Sequence, residues 1–120
     1  MRPKNLNLFT IRFPIPAIVS ILHRISGFCL FILIPFILWG LDYSLTEDGF
    51  TNLQQYLDIF AVKLLVWLLL IPFCFHLIAG LRHLLMDVQV GVSLQSGRTM
   101  AKWVFIVSFV CIVLAGIWLW

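Results

Sequence analysis

Two histidines, a glycine and an aspartate share one face of a predicted helix that is otherwise almost entirely apolar. They are His76, Gly80, His83 and Asp87, within the stretch FCFHLIAGLRHLLMD. Steps of four, three and four residues, at about 100° per residue, return to nearly the same helix face. A polar side chain at membrane depth finds no partner in lipid and must face protein, water or a cofactor. We therefore expect this face to carry the function.

His76 is expected to lie near the middle of the membrane. If Asp87 marks the interface, a rise of about 1.5 Å per residue puts His83 about 6 Å deeper and His76 about 16 Å deeper. A neutral imidazole Nε2 is a standard axial ligand of a metal porphyrin, and Gly80 leaves room for a flat macrocycle one turn away. An interhelical hydrogen bond at His76 and a packing contact at Gly80 explain the same spacing. Spacing alone leaves both interpretations open.

The end of the same predicted helix carries further candidates. Arg82 and His83 are placed to neutralise porphyrin propionates, and Asp87 is a candidate for a proton path at the membrane edge. An ordinary solvated helix end, or an ion pair with a partner subunit, explains Asp87 equally well. Because only His76 lies so deep, a six-coordinate haem needs its other ligand from another polypeptide. The sequence therefore indicates a hetero-oligomer.

A second polar group opens the first predicted helix, within PAIVSILHRISG. Ser20 and Arg24 are four residues apart and share a face, and His23 lies beside Arg24. The guanidinium is permanently charged and offers a fork of donors. Donors at the mouth of an apolar cleft suit a lipophilic ligand with carbonyl oxygens, such as a quinone. Arg24 also suits a propionate, and a snorkelling arginine that only anchors the helix is the structural alternative.

The elements that position these residues are predicted to span a membrane. Of the 120 residues, 62% are hydrophobic and 11% charged, which is too apolar for a soluble globular domain. Three apolar stretches predict helices at about 17–42, 58–87 and 100–120. Pro35 and Pro72 fall inside the first two and are expected to kink them rather than end them. The predicted fold is an all-α membrane protein with three transmembrane helices in one anchor domain, residues 1–120, within a hetero-oligomeric helical bundle.

The charges indicate topology rather than a nucleic-acid partner. The net charge of +3 comes from scattered basic residues without a basic cluster. Basic residues precede the first span and flank the connection between the second and third: Arg2, Lys4, Arg12, Arg24, Arg82, Arg98 and Lys102. The positive-inside rule therefore places the N-terminus and this second connection in the cytoplasm.

Two blocks of sequence together resemble the family of cytochrome b large anchor subunits of bacterial succinate dehydrogenase, the succinate:quinone oxidoreductase of respiratory complex II. RPKNLNLFTIRFPIPAIVSILHRISG matches a signature that ends in S-x-x-H-R-x-[ST]-G, from Ser20 to Gly27. HLIAGLRHLLMD matches H-x-x-x-G-x-R-H-x-x-x-D, from His76 to Asp87. The resemblance covers essentially the whole chain, with three spans in the same places.

The resemblance implies roles for particular residues. His76 corresponds to an axial ligand of haem b, whose other ligand comes from the small membrane anchor subunit. Ser20 and Arg24 correspond to residues of the ubiquinone site, which the small anchor and the iron–sulfur subunit complete. His23, Arg24 and His83 correspond to residues near the haem propionates.

The resemblance also implies a place in metabolism. The chain is expected to anchor a flavoprotein and an iron–sulfur subunit to the bacterial cytoplasmic (inner) membrane, in the respiratory chain and the tricarboxylic acid cycle. Succinate oxidation is expected on the flavoprotein, since this sequence has no dinucleotide motif and no iron–sulfur cysteine set. A quinol:fumarate reductase uses the same scaffold in the opposite direction, so its anchor is one alternative. A structural anchor without haem and a small proton-relaying transporter subunit are the others, the last disfavoured because there is no internal repeat.

Overall fold

A computed structural model describes residues 13–120, and all regular structure in this range is helical. The helices are α1 (Ile15–Ser44), α2 (Gly49–Leu57), α3 (Phe60–Asp87) and α4 (Leu94–Leu119). Helices α1, α3 and α4 are each long and apolar enough to cross a membrane. The predicted all-α fold with three spans is therefore confirmed. Arg2, Lys4 and Arg12, which entered the prediction of orientation, lie outside the described residues.

The helix ends follow local chemistry. Pro14 precedes α1 and Pro16 lies in its first turn, where the missing N–H leaves no hydrogen bond unmade. The start of the third span was predicted near residue 100, but α4 begins at Leu94. The cause is an N-terminal cap: the Ser93 Oγ accepts a hydrogen bond from the Ser96 backbone N–H at 3.2 Å.

Helix α2 was not predicted. It is a nine-residue helix in the connection between the first two spans, outside the three helices predicted from the sequence. Phe50, Leu53 and Leu57 follow the i, i+3, i+7 spacing of an apolar helix face in an otherwise polar segment. Asn52 Nδ2 donates to Tyr43 Oη at 2.9 Å, which joins α2 to the end of α1.

The three spans pack through small side chains. The buried hydrophobic residues are Val19 of α1, Ala79 of α3, and Ala101 and Val104 of α4. Small residues at helix crossings let the backbones approach closely, as is usual where lipid gives no hydrophobic driving force between helices. Most of the larger apolar side chains are exposed on the outside of this bundle. The packing therefore leaves an apolar perimeter for lipid or for other subunits.

Candidate functional site

Three histidines from two helices meet between α1 and α3; we call them the histidine cluster (His23, His76 and His83). The rings of His23 and His76 are stacked, with centroids 4.2 Å apart and planes 8° apart. The His23 and His83 rings are 6.4 Å apart and nearly parallel. The sequence predicted the common face of His76 and His83, and the packing of α1 on α3 adds His23.

The Nδ1 atom of His76 faces two oxygen atoms of α1. It lies 3.0 Å from Ser26 Oγ and 3.3 Å from the backbone oxygen of His23. Ser26 Oγ also donates to that same carbonyl at 2.7 Å, and the serine is only 5% exposed. The Nε2 atom of His76 has no hydrogen-bond partner among the described residues. Sequence reasoning gave Ser26 no role, although Ser26 belongs to the first motif.

Two glycines allow this close packing. A Cβ built on Gly27 would lie 3.0 Å from His76 Cε1, so the His76 ring rests directly on the backbone of α1. A Cβ on Gly80 would lie 3.4 Å from His23 Nε2, an ordinary contact distance. Gly80 was predicted to leave room for a flat ligand, and it faces the His23 imidazole. Gly27 is the glycine on which the position of His76 depends most directly.

An open, apolar hollow of about 350 Å³ lies beside the histidine cluster. The lining residues are the three histidines, one glycine and three leucines: His23, His76, His83, Gly80, Leu77, Leu81 and Leu84. Of the three residues that the resemblance assigns to the propionates, His23 and His83 line this hollow and Arg24 does not. The hollow therefore combines an imidazole with leucine walls, which suits a flat apolar ligand that carries a metal.

Ser20 and Arg24 lie on an exposed face of α1. They follow Val19 and His23 by one residue, so they point about 100° around the helix from the buried side. Within the described residues, α3 and α4 do not enclose this face. A ligand held by Ser20 and Arg24 therefore needs further walls from outside this chain.

The end of α3 divides its polar residues between two directions. His83 Nε2 lies 3.8 Å from Asp87 Oδ1, and both side chains are more than half exposed, which makes a weak ion pair when His83 is protonated. Arg82 is 8% exposed, and its Nη2 donates to the backbone oxygen of Gly97 at 3.4 Å. Arg82 thus faces α4 and does not join His83 at the hollow, contrary to the sequence-based expectation.

The fold and this site define a small helical membrane subunit with a histidine cluster between two of its spans. The chain belongs to the succinate dehydrogenase/fumarate reductase transmembrane subunit family, whose sequence profile matches residues 1–115. The family resemblance read from the two motifs is therefore confirmed.

Individual relatives named succinate dehydrogenase cytochrome b556 subunit match most of the chain. The chain is 46% identical to a succinate dehydrogenase cytochrome b556 subunit of Coxiella burnetii, over 99% of this chain and 97% of the relative. It is 28% identical to the subunit of that name from Rickettsia typhi, over 99% and 90% of the two chains. With the Paracoccus denitrificans subunit the identity is 31%, over 81% and 75%. The chain is therefore similar to cytochrome b anchor subunits of succinate dehydrogenase.

Proposed function

We propose that this chain binds haem b through His76 and contributes Ser20 and Arg24 to the ubiquinone site of a succinate dehydrogenase complex. The observation that carries the proposal is the orientation of His76. Its Nδ1 is engaged by α1, while Nε2 has no partner within the described residues and the ring borders the open hollow. A half-buried imidazole with one nitrogen engaged and the other without a partner within the described residues suits a metal ligand.

The residues at the hollow fit a porphyrin. Leu77, Leu81 and Leu84 offer apolar contacts to a macrocycle, His76 offers a ligand, and His83 offers a hydrogen bond to a propionate near the exposed end of α3. Because the hollow is open, the other axial ligand and the remaining wall are proposed to come from the small membrane anchor subunit. When bound, haem iron supplies one-electron redox chemistry beside the quinone site.

Arg24 and Ser20 are proposed to hold the quinone head group. The guanidinium would stabilise negative charge that develops on a quinone oxygen, and the Ser20 hydroxyl would donate a further hydrogen bond. Electrons are proposed to arrive from succinate through the flavoprotein and the iron–sulfur subunit. His83 and Asp87, a close pair at the exposed end of α3, are candidates for the proton path.

We propose a bacterial cytoplasmic (inner) membrane location with the N-terminus in the cytoplasm. Support comes from the basic residues Arg98 and Lys102 in the first turns of α4, just after the connection from α3, and from Arg24 near the start of α1. The opposite end of the bundle carries acidic residues: Asp42 in the last turn of α1, and Glu47, Asp48 and Asp58 in the connection between α1 and α3. In this orientation Ser20, Arg24 and Asp87 lie on the cytoplasmic side, where the soluble subunits would bind and from which protons would enter.

The haem assignment is tested by His76→Ala in the purified complex. Because one of two axial ligands is removed, haem is expected to be lost or to change from low-spin six-coordinate to high-spin five-coordinate. Absorption spectra of the dithionite-reduced complex, with haem content per complex, measure this. His83→Ala serves as the control and is expected to keep the low-spin spectrum. An unchanged low-spin spectrum in His76→Ala would exclude His76 as the ligand and favour a structural anchor without haem at this site.

The quinone assignment is tested by Arg24→Leu. We expect ubiquinone reduction by succinate to fall about 100-fold, since one preorganised charge at the reacting oxygen is lost. Succinate oxidation with a soluble artificial acceptor should persist, because that reaction bypasses the membrane site. The matched control is Arg98→Leu, which removes another exposed basic residue from the same membrane side. Equal quinone turnover in Arg24→Leu and wild type would reject the assignment.

A further inference from the structure

The contact between His76 and Ser26 indicates which ring nitrogen of His76 carries the proton. Three atoms lie within hydrogen-bond distance of one another: His76 Nδ1, Ser26 Oγ and the backbone oxygen of His23. A carbonyl oxygen only accepts hydrogen bonds, whereas a serine hydroxyl donates one and also accepts. An imidazole nitrogen donates when it carries a proton and accepts when it does not.

One arrangement of protons gives each of the three atoms a suitable partner and sets no two acceptors against each other. In this arrangement the Ser26 hydroxyl donates its single proton to the His23 carbonyl, at 2.7 Å, and its oxygen accepts from His76, at 3.0 Å. His76 Nδ1 must then carry a proton, which also points it favourably at the carbonyl at 3.3 Å. The reverse arrangement would set a bare Nδ1 lone pair against the carbonyl oxygen 3.3 Å away, which is two acceptors facing each other. The neutral imidazole therefore has its lone pair on Nε2.

We propose that Ser26 is a positioning residue that fixes the tautomer and ring orientation of His76 for the binding of iron by Nε2. The inference rests on the proposed function, because the position of the lone pair matters only if Nε2 holds haem. Ligating histidines usually donate their other ring N–H to an oxygen, which orients the ring and raises the basicity of the ligand. In this chain, both oxygens come from a single turn of α1.

The proposal has a consequence for the haem potential. A hydrogen bond from Nδ1–H to an oxygen increases electron density on the imidazole, and a more electron-rich ligand favours the ferric state. When the Ser26 hydroxyl is removed, Nδ1–H retains only the carbonyl at 3.3 Å. The midpoint potential of the haem should therefore rise.

A purely structural role for Ser26 makes a different prediction. Serine often donates to a carbonyl of the preceding turn in its own helix, and that bond alone would explain its burial. In that case its loss would affect only helix packing and leave the haem potential unchanged. Ser108 provides the matched control, because its hydroxyl is also buried between the spans, at 3% exposure, and makes no hydrogen bond within the described residues.

The experiment compares Ser26→Ala, Ser26→Thr and Ser108→Ala in the assembled complex. Redox titration of the reduced haem absorbance gives the midpoint potential, and haem content is measured per complex. We expect Ser26→Ala to raise the potential and lower haem retention about tenfold or more on dilution. Ser26→Thr, which keeps the hydroxyl, should restore both, and Ser108→Ala should match wild type.

Three results would overturn the inference. The first is an unchanged potential in Ser26→Ala with haem retained, and the second is an equal change in Ser108→Ala. The third is failure of Ser26→Thr to restore a haem centre that Ser26→Ala has lost, which would assign the effect to packing. Failure of the proposed function looks different: His76→Ala would then keep the wild-type haem spectrum.

Discussion

Two aromatic rings of α3 contact neighbouring helices in the same way, but only one of them keeps a polar ring atom that could bind a metal. Trp67 lies against Gly116 of α4, where an added Cβ would be 3.0 Å from its Nε1, and Nε1 donates to the Ile112 carbonyl at 2.9 Å. His76 lies against Gly27 of α1, with Nδ1 near the His23 carbonyl. In each case the carbonyl belongs to the residue one helical turn before the glycine.

The parallel has a simple cause. A glycine leaves the carbonyl one turn earlier unshielded, so a flat ring from another helix can approach and form a hydrogen bond to it in addition to the helical one. The two rings differ in the number of polar atoms that the contact leaves unused. Tryptophan has one polar atom, which the contact uses completely, whereas histidine has a second nitrogen. The same packing device therefore makes a structural contact at Trp67 and a candidate ligand at His76.

Of the substitutions that test this comparison, Gly27→Ala is expected to have the largest effect, which is on haem retention. The new Cβ would lie 3.0 Å from His76 Cε1, so the ring must move by a few tenths of an ångström and Nδ1 must shift away from its oxygens. We expect haem retention to fall about tenfold, as when an orienting partner of a metal ligand is lost. Haem content per complex and the reduced absorption spectrum measure the change.

Gly40→Ala is the matched control, because this glycine also lies in α1 and an added Cβ there meets no atom within 4 Å. It should retain wild-type haem, which would show that a methyl group on α1 is not harmful in itself. If Gly27→Ala and Gly40→Ala were indistinguishable, the ring contact at Gly27 would not control the site.

A smaller effect is expected from Trp67→Phe, which keeps an aromatic ring near Gly116 and removes the N–H donor together with part of the indole ring. The loss of one hydrogen bond should cost about 1 kcal/mol of stability and leave the haem spectrum unchanged. Thermal unfolding in detergent, followed beside the haem absorbance, measures both. The control is Trp39→Phe, since that side chain is 73% exposed. A changed haem spectrum in Trp67→Phe would contradict the conclusion that the Trp67 contact is only structural and that the His76 contact alone affects the haem site.

The architecture was predictable from the sequence because long apolar runs leave few alternatives. The end of α3 at Asp87 agrees with the prediction, whereas the start of α4 does not. A polar turn beginning at Leu94 gave no hydropathy signal, and the serine cap at Ser93 was the available clue. Helix α2 was missed because its short apolar face was hidden in an acidic connection, although the spacing of Phe50, Leu53 and Leu57 carried the signal.

Within the candidate site, residues on one helix were predictable and contacts between helices were not. The spacing of His76 and His83 fixes a common face because the period of a helix is known. The stacking of His23 on His76 depends on how α1 is rotated and shifted against α3, which no pattern within either helix specifies. For the same reason, the role of Ser26 could not be predicted, because only the packing of α1 on α3 places its hydroxyl beside Nδ1 of His76.

The scarcity of bulky side chains at the helix crossings also determines axial alignment. Val19 of α1 and Ala79 of α3 are buried together in the interior. Because these side chains are short, no long flexible groups lie between the two backbones to accommodate a shift along the helix axis. A slip of one turn would displace Ser26 by about 5.4 Å and break its contact with His76. The small buried residues between the helices thus contribute to the axial position at which the His76 imidazole meets the Ser26 hydroxyl.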